Sequence, residues 1–206
     1  MSFPLHKKLM VDDSLEWGSM KEKIIEGAIE VYKKKGPKFT MDDLATSLGM
    51  SKKTIYTVFH DKKSLLIDMV DYTFDAIKRA EEEVVKKPGL STEERLRGIL
   101  GVMPDQMIGV DFNQMYTLKE KYPEAYALIA KRLENGWELT LSVLNQGIEE
   151  GVFHPIDNAV FQMIFEASLE RFLNGDELAK NHIKYLDALN QLVDVLIDGI
   201  KVKDNK

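Results

Sequence analysis

Within one short stretch the chain places Ser51, Lys52, Lys53, Thr54, Tyr56, Thr57, His60 and Lys62, and hydrogen-bond donors dominate it. Ile55, Val58 and Phe59 recur there at helical spacing, so a helix in this position buries one face. Burial of that face directs Lys52, Lys53, Tyr56 and Thr57 outward, with Thr54 beside them. A lysine ammonium can donate to a guanine edge or to a phosphate, and a threonine can offer a base either its hydroxyl or its methyl. A helix is narrow enough to carry such groups into a groove about 12 Å wide. His60 and Lys62 follow at the start of the next helix, where a positive side chain and free N–H groups together hold a phosphate. The chemistry supported here is recognition of duplex DNA by non-covalent contact.

Chemistry of other kinds lacks its residues. The four histidines, His6, His60, His154 and His182, have no partner at i, i+4, and Cys is absent, so neither an imidazole nor a thiolate metal site is expected. No Gly-rich phosphate loop and no nucleophile elbow occurs. The acidic runs Glu81-Glu82-Glu83 and Glu149-Glu150 read as solvated helix faces. The expectation is a protein with no catalytic residue, no metal and no cofactor, hence not an enzyme.

Residues 40 to 59, TMDDLATSLGMSKKTIYTVF, must position the donor row. They read as two short helices separated by Leu48-Gly49-Met50. Met41, Leu44, Ala45 and Leu48 form the buried face of the first, small Ala45 permits close crossing, and Gly49 supplies the backbone freedom of a tight turn. Helix starts are marked by Ser19, Thr40, Ser51, Asp61, Ser91 and Asp157, whose side chains can accept from the first turn. Lys35-Gly36-Pro37 and Lys87-Pro88-Gly89 end helices. Apolar residues keep helical spacing almost throughout, so the fold class expected is all-α, about nine helices, with the short ones before residue 60.

The formal net charge of -6 argues against general affinity for polyanions, but the charge is uneven. Residues 1 to 87 balance at +1 and residues 88 to 206 at -7, so any DNA contact is confined to an N-terminal patch. No apolar run approaches the roughly 20 residues of a membrane span, and residues 1 to 17 lack the apolar core of a secretion signal. A cytoplasmic protein with no membrane association is expected.

The segment from Ile24 to Leu65 resembles the DNA-binding domain of the TetR family of bacterial regulators. The resemblance rests on Ile24, Ile25, Ala28, Val31, Tyr32 and Gly36 in the first helix. It continues through Leu44-Ala45, Leu48-Gly49-Met50-Ser51, Thr54-Ile55-Tyr56, Phe59 and Lys62 through Leu65. It implies that Thr40 and Ser51 cap helices and touch phosphate. Lys52, Thr54 and Thr57 would face bases or backbone, and Tyr56 and Lys62 would clamp phosphates. Lys53 stands where the family usually has a small residue, and Val58 where it often has an aromatic or histidine; the first substitution adds a donor and the second removes a contact.

Residues 1–17 are irregular enough to read as a flexible arm, and the same resemblance implies a helix-turn-helix domain over 18–65 and an effector-binding and dimerisation domain over 66–206. Met103, Met107, Phe112, Met115, Tyr116, Tyr126, Trp137, Met163 and Phe165 cluster in sequence where an adaptable apolar effector pocket is expected, although ordinary core is the commoner use of such residues. Apolar stripes containing Phe161, Leu169, Phe172, Leu189, Val193, Leu196 and Ile197 suit a two-fold dimer interface between terminal helices. The expected partners are a second copy of the chain, a near-palindromic operator and a small-molecule effector of unknown identity. The reading is a repressor released by that effector. Two others stay open: a helical ligand-binding protein or enzyme whose N-terminal helices no longer bind DNA, and an activator of the same fold.

Overall fold

The structure is a computed structural model that describes residues 10 to 174 and 176 to 203. Side chains are described from Gly18 onward, except those of Asn113 and Tyr116. It is all-α: among the described residues no strand forms, and a single antiparallel bridge joins Phe153 to Lys201. Two compact units divide the chain, residues 1 to 72 and residues 73 to 206.

Unit 1 holds α1 (Met10–Lys35), α2 (Met41–Leu48), α3 (Lys52–Val58) and the first turns of α4 (Lys62–Lys86). Ile24, Ala28, Phe39, Leu44, Ile55, Phe59 and Leu65 are almost wholly buried, so each helix contributes one apolar face to a common core. Tyr32 meets Phe39 edge to face at 6.5 Å, closing that core beneath the turn after α1. Gly27 lets α1 approach α2, since a Cβ there would lie 2.5 Å from Leu48 Cδ2. Ser19 was expected to start the first helix; α1 instead runs on from Met10, because no proline or positive-φ glycine interrupts residues 10 to 19. Of the expected arm over 1–17, residues 1 to 9 lie outside the described residues and the rest are helical.

Unit 2 continues α4 and adds α5 (Thr92–Leu100), α6 (Met115–Lys121), α7 (Pro123–Leu133), α8 (Glu138–Glu149), α9 (Asn158–Asn174), α10 (Glu177–Lys180) and α11 (Tyr185–Ile200). Its core joins Leu96 and Ile99 of α5, Val143 and Leu144 of α8, Phe161, Phe165 and Leu169 of α9, and Leu189, Val193 and Ile197 of α11. After α11 the chain pairs with the segment following α8, through His154 N to Ile200 O at 2.7 Å and Val202 N to Val152 O at 3.0 Å.

The two ends of α4 are tied within different units. In unit 1, Lys21 pairs with Asp68 at 2.7 Å and Tyr72 donates to Glu26 at 2.8 Å. In unit 2, Arg132 pairs with Asp75, and Lys78 donates to Gly136 O at 2.8 Å and to both oxygens of the buried Glu81.

Candidate nucleic-acid interface

Caps set the two short helices. Asp43 N donates to Thr40 Oγ1 at 3.1 Å while Thr40 N donates to the Asp43 carboxylate at 2.8 Å, a reciprocal arrangement that starts α2. Lys35 reaches the same carboxylate at 2.6 Å. That ion pair first, and the Thr40 bonds next, lower the Asp43 pKa to about 2. Gly49 ends α2 with φ +62°, and Met50 N bonds back to Ala45 O at 3.0 Å, so the chain reverses within the residues between α2 and α3. Ser51 Oγ then accepts from Thr54 N at 3.0 Å and begins α3.

α3 buries Ile55 fully and Phe59 just past its end, with Val58 half-buried. Lys52, Lys53, Tyr56 and Thr57 are exposed as their spacing requires, Tyr56 at 43%, and Thr54 is half-buried between them. Two hydroxyls are already engaged locally: Thr54 Oγ1 lies 2.7 Å from Ser51 Oγ, and Thr57 Oγ1 donates to Thr54 O at 2.6 Å. Thr57 thus offers its methyl and an acceptor oxygen outward, while Lys53 and Tyr56 present long polar ends. His60 is exposed, with Nδ1 3.6 Å from the Asp61 carboxylate. Asp61 caps α4 by accepting from Ser64 N at 2.7 Å, the main cause of its lowered pKa.

Lys62 departs from its expected task as a phosphate clamp. Its ammonium donates to Pro37 O at 2.7 Å and to Phe39 O, and lies 4.1 Å from the centre of the Phe39 ring. Those carbonyls follow the α1 terminus, so Lys62 ties the turn after α1 to the start of α4. It is a structural lysine. Asp42, by contrast, drew no attention in the sequence, yet its carboxylate accepts from Lys52 Nζ at 2.8 Å.

The profile of the family described as bacterial regulatory proteins, tetR family, matches residues 24–69. That span covers the C-terminal part of α1, all of α2 and α3, and the first turns of α4, the elements whose geometry has just been given. Over residues 24–69 the chain is thus similar to the TetR family.

The match supports a DNA-binding transcriptional regulator over a chain whose N-terminal helices have lost DNA. The chain is 25% identical over 181 residues to the uncharacterized HTH-type transcriptional regulator YvaF of Bacillus subtilis, a match covering 88% of this chain and 95% of that one. Its fold is similar to that of a TetR transcription regulator from Haloarcula marismortui, with a TM-score of 0.68 at 19% identity over 90% of this chain and all of that one. It is also similar to the TetR-like regulator LfrR of Mycobacterium smegmatis, determined in complex with proflavine. There the TM-score is 0.57 at 18% identity, over 89% of this chain and 97% of that one.

The residues expected to line an effector pocket make several kinds of contact in unit 2. Trp137 and Phe165 meet edge to face at 5.7 Å, and with Met103 they join the unit 2 core. Phe112 stacks on Tyr185 at 4.2 Å, and burial raises the Tyr185 pKa. Met107 accepts a long bond from Thr73, Met115 is buried, and Tyr126 donates to Asn174. The Tyr116 side chain lies outside those described. Met163 contradicts its assignment: at 57% exposure it faces solvent on α9.

The expected dimer stripe is also corrected. Phe161, Leu169, Leu189, Val193 and Ile197 are buried in the core of a single chain and so are unavailable to a partner. Phe172 and Leu196 are half-buried at its margin. On the same helices Val160, Met163 and Ile164 of α9, and Leu186 and Val195 of α11, are exposed, Val195 at 71%. The sequence carried two offset apolar series. Spacing of four along 161, 165 and 169 marks the interior, while the neighbouring 160 and 164 form the outward series.

Proposed function

We propose that this chain is a TetR-family repressor, acting in the cytoplasm by binding alone. As a two-fold dimer it sets α3 of each copy into successive major grooves of a near-palindromic operator. The observation that carries this reading is the outward row of Lys52, Lys53, Tyr56 and Thr57 over the buried Ile55 and Phe59. Ser51 and Thr40, exposed at the N-termini of α3 and α2, suit phosphate contacts, and His60 suits a further one. A second copy is supported by the exposed apolar residues Val160, Met163 and Ile164 of α9 and Leu186 and Val195 of α11.

A small-molecule effector bound in unit 2 releases the operator in this reading, by favouring a dimer whose recognition helices no longer match the groove spacing. The proflavine complex of LfrR supports a ligand of that size for this fold. α4 is the covalent route, since its residues belong to both units.

The test is duplex binding by fluorescence anisotropy, using a duplex selected by the wild-type protein from a random-sequence pool. Binding should weaken steeply with salt, and Lys52→Ala with Tyr56→Ala should lower affinity about a hundredfold or more while the circular dichroism spectrum is kept. Undiminished affinity in the double variant moves the interface off α3. Val195→Asp with Ile164→Asp should produce a folded monomer by sedimentation; a persistent dimer means that these residues are not its contact.

A further inference from the structure

α2 opens with two adjacent carboxylates, and the structure gives them different neighbours. Asp43 turns to Lys35 and to the Thr40 cap, a task that explains its presence. Asp42 turns to α3, where it accepts from Lys52 Nζ at 2.8 Å, and it is the more exposed side chain of that pair. A carboxylate on the face that approaches a polyanion opposes binding unless it performs some service there. Its hydrogen bond is also the main cause of the raised Lys52 pKa.

We propose that Asp42 is a specificity-determining positioning residue that makes Lys52 a reader of bases. This rests on the assignment of α3 as the recognition helix. An ammonium has three N–H donors. One is given to Asp42, which fixes the end of an otherwise flexible four-carbon stem, and two remain for the acceptor atoms of a guanine edge. Released from Asp42, the same ammonium behaves as a mobile point charge and moves to the nearest phosphate, which every duplex offers alike. Asp42 thus trades sequence-independent affinity for discrimination.

The experiment measures the affinity of the full-length protein for the pool-selected duplex and for a permuted duplex of equal composition, across a range of salt. Asp42→Asn should bind the permuted duplex about threefold more tightly, with a salt slope steeper by about one. Its preference for the selected duplex should fall about tenfold, the scale of one lost base contact. Asp42→Glu, which keeps the carboxylate, should retain most of the preference. In a Lys52→Ala background Asp42→Asn should leave the preference unchanged.

Equal tightening on both duplexes, or the same loss of preference without Lys52, overturns the proposal and leaves Asp42 a background charge. Failure of the wild-type protein to select any duplex overturns the assignment of α3 instead, before Asp42 is tested.

Discussion

Unit 1 and unit 2 bury apolar residues at the same helical spacing, but in unit 1 a short run of polar contacts also fixes α2, α3 and the start of α4. Thr40, Ser51 and Asp61 each satisfy a helix start, Gly49 occupies a left-handed turn, and Lys62 holds the carbonyls of Pro37 and Phe39. In unit 2 the core is built from interchangeable Leu, Ile, Val and Phe on α5, α8, α9 and α11. A helix pair with defined caps and a defined turn has few alternative arrangements. An aliphatic helix surface has many, and what covers it is decided by tertiary packing.

Unit 2 nonetheless contains one contact as demanding as any in unit 1, and breaking it gives the largest effect expected. Gly147 lies within α8 against the ring of Phe153, so that an added Cβ would stand 2.3 Å from two ring atoms. Phe153 is 1% exposed and cannot swing aside into solvent. Gly147→Ala gains helix propensity but forces the ring to move, and a net loss of about 2 to 3 kcal/mol is expected from denaturant unfolding. Unchanged stability would show that the unit 2 core repacks freely, and would widen the contrast between the units.

Lys62 sharpens the contrast from the other side, with a somewhat smaller effect. Lys62→Met should cost about 1 to 2 kcal/mol, because two carbonyls beside the turn after α1 lose their donor. The salt slope of duplex binding should stay as in wild type. A slope shallower by about one with stability intact would return Lys62 to the phosphate-clamping task implied by family resemblance.

Most of unit 1 was legible for this reason. The spacing of Ile55 and Phe59 decided which side of α3 faces out, and the capping residues located both short helices. Lys62 was misassigned because a lysine at a helix start suits a phosphate and a carbonyl pair equally well. Asp42 escaped notice because its partner lies ten residues away on another helix. In unit 2 the stripes on α9 and α11 were visible, but their division into inward Phe161, Phe165 and Leu169 and outward Val160 and Ile164 required tertiary packing. Of the pocket candidates, Met103, Trp137 and Phe165 pack on the unit 2 core, the commoner use of such residues, and spacing alone does not separate that use from a cavity lining.

The smallest expected effect separates the units by the sign of their response to acid. Lys35 and the Thr40 cap hold Asp43 in unit 1 at a pKa of about 2, below its ordinary 3.8. Its contribution to stability is therefore complete above 3.8 and is lost as pH falls toward 2. Glu81 in unit 2 is buried, and burial raises its pKa above the ordinary 4.5 although Lys78 pulls the other way. Its contribution is complete below 4.5 and is lost as pH rises through the higher folded value. Urea midpoints of the wild-type protein, Asp43→Asn and Glu81→Gln across acid pH test both signs. Wild type should lose ground to Asp43→Asn only at the acid end, and should gain on Glu81→Gln as pH falls from neutrality. If the curve for Glu81→Gln runs parallel to wild type, the Lys78 ammonium cancels the burial of Glu81, and the anchor between α4 and Gly136 is an ordinary ion pair indifferent to pH.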